Sequence, residues 1–184
     1  MFNLSTQDVV QSIKKAPLVN LNGIFYQEYH DFFGKSMLDQ LTNLENFDYT
    51  HLERQEHTQR QKISYHGEII KRLKIFFMHT SITDALESKF KTTLSFTSVD
   101  IWRDGVGYKL LPHTDDHSIK LALQIYLGDN NVGTSLYDSK DNIIKSFEYR
   151  TNSGYALLNT KLSRHGTTAD VTHGNRISIY VRYR

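Results

Sequence analysis

The two halves of the chain carry different hydrophobic periods. In the first half, apolar residues recur every three or four positions, which is typical of amphipathic helices. Ser5 stands three residues before Asp8, a spacing found at helix starts. The polar stretch Thr50–Lys62 has no such period and is predicted to be a loop or an exposed lid. The predicted helices are Leu4–Lys15, Gln27–Leu44 and Thr83–Phe90.

From Leu94 onward, short runs of alternating apolar and polar residues predict β-strands. Turn-forming pairs such as Asp104-Gly105 separate the runs. Many closely spaced strands after helices favour a β-sandwich or barrel backed by N-terminal helices. The predicted strands are Leu94–Trp102, Tyr108–His113, Ile119–Leu127, Thr134–Tyr137, Ile143–Tyr149, Tyr155–Leu158 and Asn175–Tyr183.

Two of these strands show which side chains share a face. Each has one apolar side and one polar side, because successive side chains of a strand point in opposite directions. The polar sides either face water or line a cavity while helices cover the apolar sides. The polar sides comprise Lys120, Ala122, Gln124 and Tyr126 on one strand, and Arg176, Ser178, Tyr180 and Arg182 on the last.

Composition narrows the chemistry. The 184 residues suit one domain, and 22 Lys and Arg against 20 Asp and Glu give a net charge of +2, too small to indicate nucleic acid by itself. The chain has no cysteine and nine histidines. This excludes disulfides, thiol catalysis and thiolate metal sites, and leaves histidine and carboxylates as the strong metal ligands. No run approaches the roughly 20 apolar residues of a membrane span, so we expect a cytoplasmic protein.

A candidate metal site begins at His113-Thr114-Asp115, directly after a predicted strand. Residues two apart on an extended segment project to the same side, so the imidazole and the carboxylate can bind one cation. His165, 52 residues further on, offers a third ligand. Two histidines and one carboxylate form the facial triad of non-haem Fe(II) oxygenases. His117 has the same spacing from Asp115, and His173 lies close to His165, so both remain alternatives.

Arg176 strengthens this interpretation. It follows His165 by eleven residues and shares the polar face of the last strand with Ser178. A dicarboxylate bound to a metal at one end needs a cation for its far carboxylate. Arginine supplies a two-pronged, permanently charged partner, and serine adds a hydrogen bond.

With these residues the sequence resembles the 2-oxoglutarate/Fe(II)-dependent dioxygenases. The resemblance lies in His113-Thr114-Asp115, His165-Gly166 and Arg176-Ile177-Ser178, and it covers roughly the half of the chain after Leu94. Two further segments are similar to the prolyl-hydroxylase-like branch of that superfamily. They are Gln124-Ile125-Tyr126-Leu127-Gly128 and Gly133-Thr134-Ser135-Leu136-Tyr137-Asp138.

The resemblance implies an α+β, mainly β protein with a double-stranded β-helix (jelly-roll) core. Residues 1–184 would form one domain, with 1–93 as a largely helical support and 94–184 as the catalytic core. It also implies that O₂ is the second cosubstrate. Fe(II) would be bound by His113, Asp115 and His165, and the distal carboxylate of 2-oxoglutarate by Arg176 with help from Ser178 and Tyr126.

The expected reaction is hydroxylation of a peptide or protein side chain or of an amino acid, since related halogenases lack the carboxylate that Asp115 provides. The branch often has a tyrosine where this chain has Arg103 and an aromatic residue at Asn159, which leaves the substrate open. One alternative is a nucleic-acid oxidative demethylase, because Arg176 and Arg182 are six residues apart. Another is a non-catalytic, cupin-like metal-binding jelly roll, against which Arg176 and Ser178 count.

Overall fold

The computed structural model describes residues 5–41, 49–51, 59–63 and 67–184, with backbone alone at 49–51. Its four helices are α1 (Thr6–Lys15), α2 (Lys35–Leu41), α3 (Glu68–Phe77) and α4 (Thr80–Phe90). Its strands are β1 (Val19–Leu21), β2 (Ile24–Tyr29), β3 (Tyr49–His51), β4 (Arg60–Ile63), β5 (Phe96–Asp104), β6 (Leu121–Tyr126), β7 (Thr134–Tyr137), β8 (Ile143–Ser146), β9 (Gly154–Leu158), β10 (His165–Thr167) and β11 (Arg176–Tyr183).

Two antiparallel sheets form a double-stranded β-helix-like core. The large sheet has the order β1-β2-β9-β6-β11-β5-β4-β3, and the small sheet has the order β10-β7-β8. The predicted α+β fold with a jelly-roll core is therefore confirmed. Strand β11 lies between β6 and β5, so the residues of its polar face are central in the large sheet.

The helices cover one face of the large sheet. Val9 and Ile13 of α1 belong to the same buried cluster as Leu123, Ile125 and Ile179 of the sheet. Complete burial of each such side chain contributes about 1.5–3 kcal/mol. The apolar sides predicted for strands β6 and β11 thus pack against the helices.

The opposite face of the large sheet turns towards the small sheet. Tyr126 and Tyr155 pack with Leu136 and Phe147 of the β7–β8 side in a second buried cluster. The rings of Phe147 and Tyr155 stack with centroids 4.3 Å apart. The polar face therefore lines the protein interior, as the cavity interpretation requires.

The predicted helix Gln27–Leu44 is wrong in its first part. Residues 24–29 form β2, which pairs with β9 from Tyr26↔Leu157 to Tyr29↔Gly154. Spacings of three and four among aromatic residues fit a helix, but the backbone here completes a sheet instead. The Gln27 amide also donates to the carbonyls of Ile13 and Ala16 at the end of α1. Only α2 remains helical, and residues 42–44 lie outside the described residues.

The predicted strand Tyr108–His113 is also wrong. The segment is joined to β10 by single contacts, such as the bridge between His113 and His165, and has no continuous partner strand. Pro112 lacks the N–H that a ladder needs, and Leu111 is largely exposed. The short strand β10 and the helix α3 were not predicted, although Ile69, Leu73 and Phe76 carry a helical period.

The first half of the chain contributes more sheet than a helical support would. Besides four helices it supplies β1 and β2 at one edge of the large sheet and β3 and β4 at the other. The predicted loop Thr50–Lys62 includes parts of the β3–β4 pair, and residues 52–58 lie outside the described residues. Within the described ranges, no helix has the length and apolar character needed to cross a bilayer.

Candidate active site and metal centre

Three side chains meet where the two sheets approach each other. One ligand atom from each of His113, Asp115 and His165 lies within 4.8 Å of the others. Paired backbone hydrogen bonds between His113 and His165, of 3.0 and 2.8 Å, bring the segment before Asp115 against β10. Gly166 permits this approach, because a Cβ there would lie 2.4 Å from the Leu110 carbonyl oxygen. The donor set and its spacing fit a divalent metal ion.

Both imidazoles are held in the orientation that a metal ligand requires. Nδ1 of His113 lies 2.9 Å from the Leu111 carbonyl oxygen, and Nδ1 of His165 lies 3.0 Å from that of Ser163. A carbonyl only accepts, so each Nδ1 carries the proton and each Nε2 lone pair is available. Burial lowers the pKa of His165, which favours the neutral form that binds metals.

Asp115 is positioned through both its side chain and its backbone. The Tyr180 hydroxyl donates to the carboxylate, with 2.9 Å to each oxygen. The Asn159 amide donates to the carbonyl oxygens of Asp115, Asp116 and Ile119, at 3.3, 3.0 and 2.8 Å. Asn159 therefore closes the loop that carries the carboxylate, a role its sequence position did not indicate.

The two alternative histidines lie elsewhere. His117 is fully exposed, and its closest acidic neighbour is Asp116 at 4.0 Å. His173 is in an exposed turn, with Nε2 2.5 Å from the Asn130 carbonyl oxygen. Among the described residues, His113, Asp115 and His165 are the one cluster of this kind.

The triad lines a cavity of about 140 Å³. This volume is comparable to that of an engineered protein cavity that holds one benzene molecule. The cavity wall is formed by residues of both sheets and of the segments that join them. The residues besides the triad are Arg60, Trp102, Leu110, Gln124, Thr134, Tyr155, Gly166, Thr167, Arg176, Tyr180 and Arg182.

Arg176 is almost fully buried in this cavity wall. Its Nη1 donates to Asp104 at 2.8 Å, its Nη2 to the Thr134 hydroxyl at 3.1 Å, and its Nε to the Val132 carbonyl at 2.9 Å. Burial lowers the pKa of the guanidinium but nearby Asp104 raises it, and the net shift is upward. Arg176 is therefore a fixed cation inside the cavity.

One buried carboxylate is shared by two arginines. Asp104 also accepts from Arg60, at 2.6 Å from Nε and 3.0 Å from Nη2. Asp104 is fully buried, and Arg60 and Arg176 both line the cavity. Two guanidinium groups and one carboxylate leave one positive charge at this end of the cavity, which suits an anionic ligand group.

Two other predicted contacts with 2-oxoglutarate are placed differently. Ser178 and Tyr126 are fully buried but do not line the cavity. The Ser178 hydroxyl accepts from the Gln124 amide at 3.0 Å, and the Tyr126 hydroxyl donates to the Thr134 hydroxyl at 2.9 Å. In this arrangement they support Gln124 and Thr134, which do reach the cavity.

Sequence reasoning missed several residues of the cavity. Gln124 and Tyr180 were placed on polar strand faces without a role, and their alternation with apolar neighbours was the available signal. The Tyr155 hydroxyl donates to Gln124 Oε1 at 2.8 Å, so the two form a single polar wall. No local signal marked Arg60 or Asp104, because their pairing joins residues 44 positions apart.

Comparisons with known proteins agree with this geometry at the level of the fold. No protein-family model and no curated protein matches the sequence. Solved structures do match, including an oxidoreductase of the 2OG-Fe(II) oxygenase family from Burkholderia pseudomallei. The TM-score is 0.64 at 13% identity, over 97% of this chain and 89% of that one.

Two further structures show the range of proteins with this fold. A prolyl hydroxylase from Trichoplax adhaerens, in complex with a hypoxia-inducible-factor peptide fragment, has a TM-score of 0.65 at 12% identity, covering 97% of this chain and 88% of its own. HygX from Streptomyces hygroscopicus, with nickel, 2-oxoglutarate and hygromycin B bound, has a TM-score of 0.61 at 12% identity, covering 86% and 82%.

The comparisons show the fold, and the site adds one cluster of metal-ligand types among the described residues. The histidine, aspartate and histidine of the triad are all present and close enough to share an ion. The two histidines and one carboxylate are the ligand types of non-haem Fe(II) sites, so the cluster suits Fe(II). This chain has the fold of the 2-oxoglutarate/Fe(II) oxygenases, with an intact His-x-Asp…His triad.

Proposed function

We propose that this protein is an Fe(II)- and 2-oxoglutarate-dependent oxygenase that hydroxylates a side chain of a peptide or protein, or an amino acid. The observation that carries the proposal is that the triad and Arg176 line the same small cavity. A site for a metal alone needs no buried cation beside it. A ligand that binds the metal at one end and carries a carboxylate at the other needs both.

The chain's own residues would divide the work as follows. His113, Asp115 and His165 would hold the iron and would leave coordination positions for the cosubstrate. Bound iron supplies the O₂-dependent oxidation that accompanies decarboxylation of 2-oxoglutarate. Arg176 binds and orients the far carboxylate, and its bonds to Asp104 and Thr134 fix the direction of the guanidinium. The buried walls of Tyr155 and Gln124 exclude water from that end.

The structural neighbours support the oxygenase class. Different neighbours hold different kinds of molecule. One of the matching structures is a prolyl hydroxylase with a peptide fragment, and another holds hygromycin B. We propose hydroxylation rather than halogenation because Asp115 provides the carboxylate that related halogenases lack.

The alternatives receive less support. A cupin-like metal-binding protein would have no use for the buried cation Arg176. A nucleic-acid demethylase would be favoured by cations free to contact phosphates. Of the other arginines of the cavity, Arg60 is mostly buried against Asp104, at 2.6 Å, and Asp100, at 2.7 Å, offsets the charge of Arg182.

Anaerobic titration tests the binding half of the proposal. We expect the Fe(II)-loaded protein to develop a weak visible charge-transfer band when 2-oxoglutarate is added. His113→Ala should abolish the band, and Arg176→Ala should weaken 2-oxoglutarate binding at least tenfold while the metal still binds. Arg72→Ala, which removes a partly exposed arginine of α3 that pairs with Glu68, is the matched control and should bind as the wild type does.

Turnover tests the catalytic half. In air the same protein should convert 2-oxoglutarate to succinate in an Fe(II)-dependent reaction, which a peptide or amino-acid substrate accelerates. Absence of succinate with every such substrate, together with unchanged metal binding in Asp115→Ala, would contradict the assignment.

A further inference from the structure

The outer end of the cavity carries an arginine for which the proposed reaction has no role so far. Arg176, Ser178, Tyr180 and Arg182 share one face of β11, at about 6.7 Å for each step of two residues. Tyr180 contacts the metal ligand Asp115. Along this strand, Arg176 and Arg182 therefore lie on opposite sides of the metal centre.

The two arginines differ in depth. The side chain of Arg176 is 2% exposed, and that of Arg182 is 34% exposed. Of the three arginines that line this cavity, Arg182 is the most exposed, so it lies on the solvent side. The far carboxylate of 2-oxoglutarate is expected at the closed end, and the cavity of about 140 Å³ leaves little enclosed space beyond that molecule. The primary substrate must then approach from the side of Arg182.

Arg182 has hydrogen-bonding capacity to spare. Its Nη2 donates to Asp100 at 2.7 Å, while its Nε is buried and has no acceptor in the described part of the chain. Leaving a buried donor without a partner is unfavourable. A guanidinium that is anchored through Nη2 and unsatisfied at Nε suits a further oxygen acceptor such as a carboxylate.

We propose that Arg182 binds a carboxylate of the primary substrate, and that the substrate is a small organic acid, such as a free amino acid. The inference rests on the proposed function, which it narrows from side chains in general to molecules with a free carboxylate. Asp100 already balances the charge of Arg182, so the site suits a monoanion better than a polyanion such as nucleic acid.

The geometry also limits the length of this acid. The guanidinium carbon of Arg182 lies 5.8 Å from the centre of the Tyr180 ring, and the hydroxyl of the same ring contacts Asp115. A single phenol ring thus spans the gap between the arginine and the metal ligands. The oxidised carbon of the substrate should be only a few bonds from its carboxylate.

The test measures binding without turnover. Protein loaded with Fe(II) and 2-oxoglutarate under anaerobic conditions is titrated with acetate, benzoate and the twenty free amino acids, and in parallel with the corresponding amides. We expect at least one acid to bind about tenfold more tightly than its amide. Arg182→Gln should remove that preference while the affinity for 2-oxoglutarate stays unchanged. Arg184→Gln, an exposed residue just beyond β11, is the control and should keep the preference.

Variants of Asp100 distinguish the loss of hydrogen bonds from Arg182 to the acid from a change in the net charge of the site. Asp100→Asn removes the negative charge beside Arg182, so the acid should bind more tightly. The double variant Arg182→Gln/Asp100→Asn restores the charge balance and should still show no preference for acid over amide.

Three results would overturn the inference: no acid preferred over its amide, a preference that survives Arg182→Gln, or a preference that returns in the double variant. In each case intact 2-oxoglutarate binding would leave the oxygenase proposal standing. If 2-oxoglutarate itself does not bind the metal-loaded protein, both proposals fail together.

Discussion

The hydroxyl of Tyr180 lies 2.9 Å from both carboxylate oxygens of Asp115. Burial and the nearby carboxylate raise the pKa of Tyr180, so the phenol keeps its proton and acts as the donor. A ligand held in this way reaches the metal already oriented, and such supporting bonds are typically worth 10- to 100-fold in metal affinity or activity.

Tyr180→Phe should therefore lower the affinity for Fe(II) by roughly tenfold, because only the hydroxyl bond is lost and the ring is retained. Anaerobic competition with a metal chelator measures the change. Tyr183→Phe is the matched control, since Tyr183 also lies on β11 but donates to the Phe77 carbonyl on the other face. Equal metal affinities in the two variants would show that Tyr180 does not position Asp115.

Asp104→Asn should reduce the free energy of unfolding by about 3–5 kcal/mol, because it leaves two guanidinium groups beside each other without their shared counter-ion. Urea unfolding of the metal-free protein at neutral pH measures this. Asp100→Asn removes a carboxylate that pairs with a single, partly exposed arginine, and it should cost about 1 kcal/mol or less. Similar losses in both variants would contradict the view of Asp104 as the centre of a buried charge network.

Gly166→Ala should separate β10 from the segment before His113. The added Cβ would lie 2.4 Å from the Leu110 carbonyl oxygen, so either β10 or the segment before His113 must shift. Such a shift would change the distances among the three side chains of the triad. We expect a loss of about 1–3 kcal/mol in stability and a larger relative loss of metal affinity. In Gly105→Ala the nearest atom would be 3.5 Å away, which is ordinary contact, so this variant should retain metal binding.

Stability should fall at alkaline pH because buried tyrosines must keep their protons. Burial, the largest influence, raises the pKa of Tyr149 to about 12, although a hydrogen bond with the Ile177 backbone opposes the shift. The unfolded chain releases this proton near pH 10, so the stabilisation is complete below pH 10 and is lost between about pH 10 and 12. For Tyr149 alone the loss is about 3 kcal/mol.

Urea unfolding at a series of pH values, for the wild type and for Tyr149→Phe, tests this window. The variant cannot ionise at this position, so its stability should decline less steeply with pH than that of the wild type. Parallel declines in the two proteins would indicate that Tyr149 titrates as it does in the unfolded chain.

The fold and the clustering of His113, Asp115 and His165 could be predicted from the sequence because strand geometry links the spacing of residues to the direction of their side chains. His113 and Asp115 are two residues apart, and the alternation of β11 placed Arg176 on the interior face. Alternation gives the face of a side chain but not its depth. Ser178 and Tyr126 were therefore assigned to the cosubstrate, whereas Gln124 and Thr134, their hydrogen-bonding partners, reach the cavity.

Other features depend on contacts between distant parts of the chain. The aromatic spacing in segment 27–44 is compatible with either a helix or a strand, and the pairing of β2 with β9 decides the outcome. The link from Arg60 to Asp104 joins β4 to β5, and nothing in either local sequence indicates it. Such residues become visible only when the sheet order is known.

The position of β11 has a consequence for the timing of folding. This strand is last in chain order, yet it is hydrogen-bonded between β6 and β5 at the middle of the large sheet. During synthesis on the ribosome, the earlier strands emerge with an open slot where β11 belongs, and their apolar faces stay incompletely covered until it arrives. Closure of the sheet, and with it the assembly of His165 and Arg176 into the site, must wait until β11 itself has left the exit tunnel.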